Sequence, residues 1–228
     1  MIIAHRGVHN NKDIPENSMK AFKKAIDKGY GVEFDIEITK DDKLIIHHDD
    51  NLVRMTGVNK NVEDMTFDEI SKLKLLKTKE HIPTFKELLD LVNGKVYLDI
   101  EIKSTKKVKL ICDLILKELE NYNGELSLKS FSPMIVRRLK KITKRYEIGL
   151  LVMKNSKSKL LNFLVKTKLI YLIKYDFLAV SKYMLTRKYY KKKIRKYKMY
   201  AWSFDGEKEA NEYLKVYPKI ICICNDLD

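Results

Sequence analysis

The sequence predicts an α/β fold, a single (β/α)8 (TIM) barrel over residues 1–228 with a small rim excursion at 51–81, after the second strand position. Three observations carry this reading. Short apolar runs alternate with longer stretches whose apolar residues recur every 3–4 positions, the pattern of strands separated by helices. Nine such runs are present, but the link TKDDK (39–43) between the second and third is shorter than the dozen or so residues a parallel crossover needs, so those two form one hairpin position and eight remain. The length of 228 residues suits one barrel of this kind.

The strands are expected at 2–4, 31–38, 44–48, 96–103, 126–130, 147–152, 177–181, 199–203 and 220–224. Helices are expected at 18–28, 84–92, 106–122, 133–144, 157–175, 186–196 and 206–217, opened by start residues such as Ser18, Thr84 and Thr186. Residues 51–81 read as loop plus a short helix at 62–74, an excursion rather than a second domain. No internal repeat and no Pro/Gly/Ser-rich linker divides the chain.

Composition narrows the class. A 45% hydrophobic share excludes wholesale disorder, and 8 Gly with 4 Pro exclude collagen-like and low-complexity architectures. The net charge of +15 is local: residues 154–198 hold fifteen Lys or Arg and one acid, Asp176. A one-signed stretch attracts anions. Its start, Lys154, Lys157 and Lys159 beside the apolar run from Leu160, resembles an interfacial membrane element, against the plainer reading of a buried helix face. No stretch supplies the roughly 18 uninterrupted apolar residues of a spanning helix, and no charged leader with a cleavage site opens the sequence, so a cytoplasmic protein is expected, with peripheral contact to anionic membrane as the alternative that the basic stretch leaves open. Three cysteines, Cys112, Cys222 and Cys224, are too few for a disulfide framework and read as buried reduced thiols. The basic stretch lacks a regular aromatic platform and no recognition motif is present, so nucleic acid is not an expected partner.

Strand alternation yields the first chemical signal. In VEFDIEI (32–38) and VYLDIEIK (96–103) the acids fall on one face and the apolar residues on the other. Leu98, Ile100 and Ile102 would meet the helices, while Asp99, Glu101 and Lys103 would meet the barrel axis. Several carboxylates then share one interior, where unpaired charges are very costly. A divalent cation resolves this, with Glu33, Asp35 and Glu101 as leading ligands and Asp99, Glu37 and Asp49 in reserve. An all-oxygen set suits Mg²⁺ or Ca²⁺ rather than zinc.

The histidines add to it. Of the five (His5, His9, His47, His48, His81), His5 ends the first expected strand and His48 the third, and strand C-termini of such barrels build active sites. Two histidines beside a metal suit proton transfer at neutral pH, and Arg6 and Lys103 add fixed positive charge at the same end. That combination points to a phosphate ester. The absence of a Gly-rich phosphate loop disfavours nucleoside triphosphate chemistry, and no G-x-S-x-G elbow is present.

On these residues the chain resembles the glycerophosphodiester phosphodiesterase family. The opening IAHRGVHNNKDIPENSMKAFKKAI resembles the family's H-R-G, P-E-N-[TS] and first helix. GVEFDIEITKDDKLIIHHDDNLVRMTG resembles its E-x-D strand and H-D-x-x-L-x-R-x-T block. IPTFKELL, LDIEIK, SFSP, IGLLV, AWSF and ICICNDLD follow in family order. The resemblance implies His5 and His48 as acid and base, with the spacing to Leu52, Arg54 and Thr56 selecting His48 over adjacent His47. It implies Glu33, Asp35 and Glu101 as metal ligands, Arg6 and Lys103 as phosphate contacts, Glu16 and Asn17 beside the site, and Trp202 lining the pocket. Departures are Ser203-Phe204-Asp205 in place of T-V-N, Asn225 where an aspartate is common, and the basic, apolar 154–176. The implied activity is metal-dependent hydrolysis of a glycerophosphodiester to glycerol 3-phosphate and an alcohol. A lysophospholipase D-type activity on membrane lysolipids, and an inactive phosphate- or membrane-binding protein, are the alternatives.

Overall fold

The structure is a computed structural model that describes residues 1–153, 172–186, 190 and 198–227. Most of the expected helix at 157–175, most of that at 186–196, and most of the basic stretch, including the segment from Lys154 that carries the membrane reading, lie outside the described residues. Among the described residues no helix is long and apolar enough to cross a membrane.

The strands are β1 (Ile2–His5), β2 (Gly31–Ile38), β3 (Leu44–Ile46), β4 (Leu98–Ile102), β5 (Leu126–Ser130), β6 (Glu147–Val152), β7 (Phe177–Ser181), β8 (Met199–Asp205) and β9 (Ile220–Asn225). Their order is β1-β9-β8-β7-β6-β5-β4-β2-β3, and a further β1–β2 pairing closes the ring. Every ring pairing is parallel; only β3 is antiparallel, against β2. The result is the closed (β/α)8 barrel that the sequence predicts, with the hairpin counted once.

Helices α1 (Met19–Asp27), α4 (Phe85–Val92), α5 (Val108–Glu118), α6 (Pro133–Ile142) and α7 (Gly206–Val216) are the described helices that follow or separate ring strands. Their starts are set locally. Ser18 and Ser132 accept backbone N–H groups at the first turns of α1 and α6, and Thr84 forms a reciprocal capping box with Glu87 at α4. Outward residues of the strands, such as Phe34, Ile36, Leu98, Ile100 and Ile102, join the helices in the main core.

Two expectations are corrected. The third strand ends at Ile46 rather than residue 48, and it lies beside the ring rather than in it. His48 therefore sits on a loop beyond a hairpin arm, not at a barrel strand end. The short helix expected at 62–74 is broken into a 3-10 turn, Val62–Asp64, then α3 (Phe67–Ser71), then a second turn, Leu75–Lys77. Met65 is extended, and Thr66 opens α3 with its own capping box to Glu69, which ends any continuous helix. With α2 (Val53–Thr56) these pieces enclose a second small core of Ile45, Leu52, Met55, Val62, Met65, Ile70, Leu75 and Ile82.

The barrel interior is divided by sector. Ile3, Leu151, Phe177, Ala179, Tyr200, Ile221 and Ile223 form an apolar cluster. They come from β1 and β6–β9, whereas β2, β4 and β5 contribute buried Glu33, Asp35, Asp99, Glu101, Ser127 and Lys129. After β1 the chain turns sharply through Arg6 (φ 58) and Gly7 (φ 78). A Cβ on Gly7 would stand 2.7 Å from the backbone carbonyl carbon of Ala21 on α1. Left-handed backbone and an unyielding neighbour together demand glycine there. Gly7→Ala is expected to lower stability by about 2 kcal/mol or more, combining the left-handed cost with overpacking. Urea denaturation checks this, with the midpoint falling at an unchanged slope.

Candidate active site

The acids stand in two tiers set by strand register. Glu33 on β2 is level with Asp99 on β4 and Ser127 on β5; one step toward the strand C-termini, Asp35 is level with Glu101 and Lys129. Ligand oxygens of Glu33, Asp35 and Glu101 all lie within 4.8 Å of one another, and all three residues are buried. The reserve ligands do not join them. Asp99 accepts from Ser127 Oγ at 2.9 Å and Lys129 Nζ at 2.6 Å. Asp49 is held by His48 and Arg54, and Glu37 stays outside the cluster with an unpartnered Oε1 among the described residues.

Positive groups sit against the triad. Lys103 Nζ is 3.0 Å from Glu101 Oε1 and 3.3 Å from Asp35 Oδ1. Arg6 Nε is 3.5 Å from Asp35 Oδ2, and its Nη1 donates to Glu16 Oε1 at 2.8 Å. Asn17, in left-handed backbone (φ 54), donates from Nδ2 to Asp35 Oδ2 at 3.0 Å. Glu16 and Asn17 thus brace Arg6 and Asp35 from the loop before α1.

Burial sets the protonation. Desolvation pushes the Glu33 carboxyl up to about 8, reinforced by Asp35, Glu101 and Asp99 against the opposing Lys129 ammonium. Burial would also raise Asp35, but Lys103 and Arg6 outweigh it and hold the carboxyl well below its usual range. Burial alone would depress Lys103 and Lys129, yet their carboxylate partners, Glu101 and Asp35 for one and Asp99 and Glu33 for the other, keep both ammoniums charged. Five buried acids in this sector (Glu33, Asp35, Glu37, Asp99, Glu101) outnumber the cations Arg6, Lys103 and Lys129, and burial pushes two of the five, Glu33 and Glu37, toward their neutral forms. Converged carboxylates, an all-oxygen donor set and this excess fit a hard divalent cation held by Glu33, Asp35 and Glu101.

The histidines approach from different supports. His5 Nδ1 lies 2.6 Å from Asn225 Oδ1, while Asn225 Nδ2 donates to Ser203 Oγ at 3.1 Å. That amide orientation makes His5 Nδ1–H the donor and leaves the Nε2 lone pair free, 3.9 Å from Glu33 Oε2. Burial, with Arg6 nearby, lowers the His5 pKa to about 3 despite the Asn225 bond, so the ring is neutral. His48 Nδ1 meets Asp49 Oδ1 at 2.7 Å, and Asp49 also accepts from Arg54 Nε at 2.5 Å. Arg54 forks onto Glu16, at 2.7 Å and 3.0 Å. Adjacent His47 is buried, and its Nε2 has no partner among the described residues. Trp202, next to interior Tyr200 on β8, packs edge-to-face on Phe131 at 6.0 Å between ring centres.

Three contributors were not read from the sequence as site residues. Lys129 shares a face with Ser127 on β5, so the alternation that selected Asp99 and Glu101 also marks it. Arg54 served only to set spacing, although it reaches Asp49. Asn225 stood as a departure, and its role as partner of His5 depends on the β1–β9 pairing that only barrel closure creates.

Comparison with known proteins supplies the family. Residues 5–225 match the model of the glycerophosphoryl diester phosphodiesterase family. A glycerophosphodiester phosphodiesterase of Caldanaerobacter subterraneus subsp. tengcongensis is 37% identical over 162 residues, 66% of this chain and 66% of that protein. A human lysophospholipase D is 31% identical over 137 residues, 54% of this chain and 42% of that one. The matched segments thus span just under two thirds of the first relative's length and well under half of the second's. An Oleispira antarctica phosphodiesterase solved with the product sn-glycerol-3-phosphate shares the fold, with a TM-score of 0.82 at 19% identity over 98% of this chain and 92% of that one.

Acid should weaken this architecture through its buried imidazoles. Burial lowers the His47 pKa from 6.5 to about 4, so the native state resists a proton that the unfolded chain accepts. Stability therefore rises with pH across that window and is lost as pH falls from about 6.5 toward 4. Calorimetry in buffers of differing ionisation enthalpy is expected to count about one fewer proton taken up on unfolding of His47→Gln than of the wild type near pH 5. An unchanged count would remove His47 as a source. With residues 5–225 matching the family model, the chain belongs to the glycerophosphoryl diester phosphodiesterase family.

Proposed function

We propose that the chain is a divalent-cation-dependent phosphodiesterase that hydrolyses glycerophosphodiesters to glycerol 3-phosphate and an alcohol. The observation that carries this is the meeting of a three-carboxylate cluster, two imidazoles, Arg6 and Lys103 at one end of the barrel. The family match and the product bound in the Oleispira antarctica enzyme support the substrate class.

Glu33, Asp35 and Glu101 would hold the cation, Mg²⁺ or Ca²⁺, which when bound polarises phosphoryl oxygens and acidifies a bound hydroxyl. Arg6 and Lys103 orient the phosphate and offset charge that develops on its oxygens. His5, neutral and tied through Nδ1 to Asn225, takes the proton from the attacking oxygen at Nε2. His48, with the Asp49 carboxylate at Nδ1, carries a proton on Nε2 and gives it to the departing alkoxide. Trp202, packed on Phe131, would line the pocket beside the alcohol.

A lysophospholipase D-type activity is the second reading, favoured by the human relative of that name. A panel of glycerophosphocholine, glycerophosphoinositol and monoacyl lysolipids, each assayed with Mg²⁺ and with Ca²⁺, separates the two. Faster turnover of the monoacyl diesters would favour the second, and no turnover of any diester would leave a phosphate-binding protein.

Glu33→Gln, Asp35→Asn and Glu101→Gln are each expected to lower turnover by orders of magnitude, and chelation by EDTA to abolish it reversibly. Full activity after exhaustive chelation would exclude the cation. His5→Ala and His48→Ala are expected to lose about 10²–10⁴-fold, and His47→Ala far less. If His48 is the proton donor, His48→Ala will lose little on a p-nitrophenyl diester, whose leaving group needs no proton. Equal losses on alkyl and p-nitrophenyl diesters would overturn that assignment.

A further inference from the structure

Lys129 is 1% exposed inside the barrel, and its ammonium is paired with buried carboxylates. Its Nζ lies 2.6 Å from Asp99 Oδ2 and 3.1 Å from Glu33 Oε1. Asp99, fully buried, is fixed from its other oxygen by Ser127 Oγ at 2.9 Å. The chain of contacts runs from Ser127 through Asp99 and Lys129 to one oxygen of Glu33. The other oxygen, Oε2, is left 3.3 Å from the Arg6 backbone N–H and 3.9 Å from His5 Nε2.

We propose that Lys129 is a positioning residue that clasps Glu33 by one oxygen and so fixes the ligand geometry, and the cation affinity, of the carboxylate cluster. The inference rests on the reading of Glu33, Asp35 and Glu101 as a cation site. Enclosed Asp99 needs a partner, but folding alone does not select the Asp99–Lys129 pair over an apolar one. Apolar residues of similar volume in place of a buried ion pair are often neutral or stabilising, and the neighbouring interior sector is built from such residues. Two electrostatic effects oppose each other. Positive charge near a cation weakens binding, whereas a fixed carboxylate strengthens it. Lys129 and Asp99 neutralise one another at 2.6 Å, so the pair adds little net charge and the clasp dominates. Partners of this kind, one step removed from the metal, are typically worth about 10–100-fold in metal affinity.

The test compares wild type with Asp99→Asn/Lys129→Met, which removes the clasp without changing net charge, and Asp99→Asn/Lys129→Gln, which keeps a neutral donor. Calorimetric titration with Mg²⁺ is expected to show binding weakened about 10–100-fold in the methionine variant and by less in the glutamine variant, with metal-free melting temperatures close to wild type. A folded methionine variant that binds Mg²⁺ as tightly as wild type would overturn the proposal. Wild type that binds neither Mg²⁺ nor Ca²⁺ would instead overturn the cation site itself. A measurement on unaltered protein covers a variant that does not fold. The ¹⁵Nζ resonance of an enclosed Lys129 exchanges slowly with water, and it is expected to shift as Mg²⁺ is added. A resonance that stays fixed while the site fills would overturn the clasp.

Discussion

Carboxylates enclosed in a closed barrel are the constraint on which the rest depends. A ring of eight strands leaves no edge and no solvated inner face, so Glu33, Asp35, Asp99 and Glu101 cannot be hydrated as they would be on an open sheet. Each must find a partner inside. Asp99 has Lys129 and Ser127; Asp35 has Lys103, Arg6 and Asn17; Glu101 has Lys103. Glu33 is the least compensated, which is why burial drives its carboxyl up to about 8 despite Lys129. The sector division of the interior follows. Acids on β2 and β4 draw cations from the same or adjoining strands, and the opposite wall is free to be apolar.

This arrangement also accounts for rigidity. All three carboxylates of the cluster stand on neighbouring ring strands whose register fixes their relative heights. Side chains on such strands hold their geometry better than side chains on loops. His5 shares this advantage, because β1 pairs with β9 and brings Asn225 to its Nδ1. An amide in place of a carboxylate at that position supplies orientation without adding negative charge, in keeping with an imidazole that stays neutral.

What was legible in the sequence follows from period. A repeat of two exposed the inward faces of β2 and β4, and with them Glu33, Asp35, Glu101 and Lys103, because alternation is local and needs no partner strand. The short 39–43 link exposed the hairpin for the same reason. Contacts made by closure or by the excursion were not legible. The Asn225–His5 bond joins residues 220 positions apart, and Arg54 reaches Glu16 across 38. The break of the 62–74 helix was missed although its cause is local, since the capping box at Thr66 and Glu69 outweighs apolar spacing in so short a segment. Placing His48 at a barrel strand end was an error of a different kind. The apolar run 44–46 has strand character, but as the second arm of the hairpin it pairs antiparallel with β2 and lies outside the ring.

That displacement gives the excursion its purpose. His48 lacks a ring strand beneath it, so its position depends on what braces the loop. Asp49 holds its Nδ1, Arg54 on α2 holds Asp49, and Glu16 receives the fork of Arg54 while also accepting from Arg6. Arg6 in turn reaches Asp35. The two imidazoles are therefore joined to the same acid cluster by separate routes, His5 directly beside Glu33 and His48 through four charged side chains. The second small core, with Leu52 and Met55 flanking Arg54, fixes the origin of the longer route. Burial alone would raise Glu16, but Arg54 and Arg6 outweigh it and hold the carboxyl well below its usual range, so this brace stays charged where isolated surface pairs contribute little. A loop-borne histidine thus gains a placement that its own strand does not provide, at the cost of one more enclosed carboxylate that has to be matched.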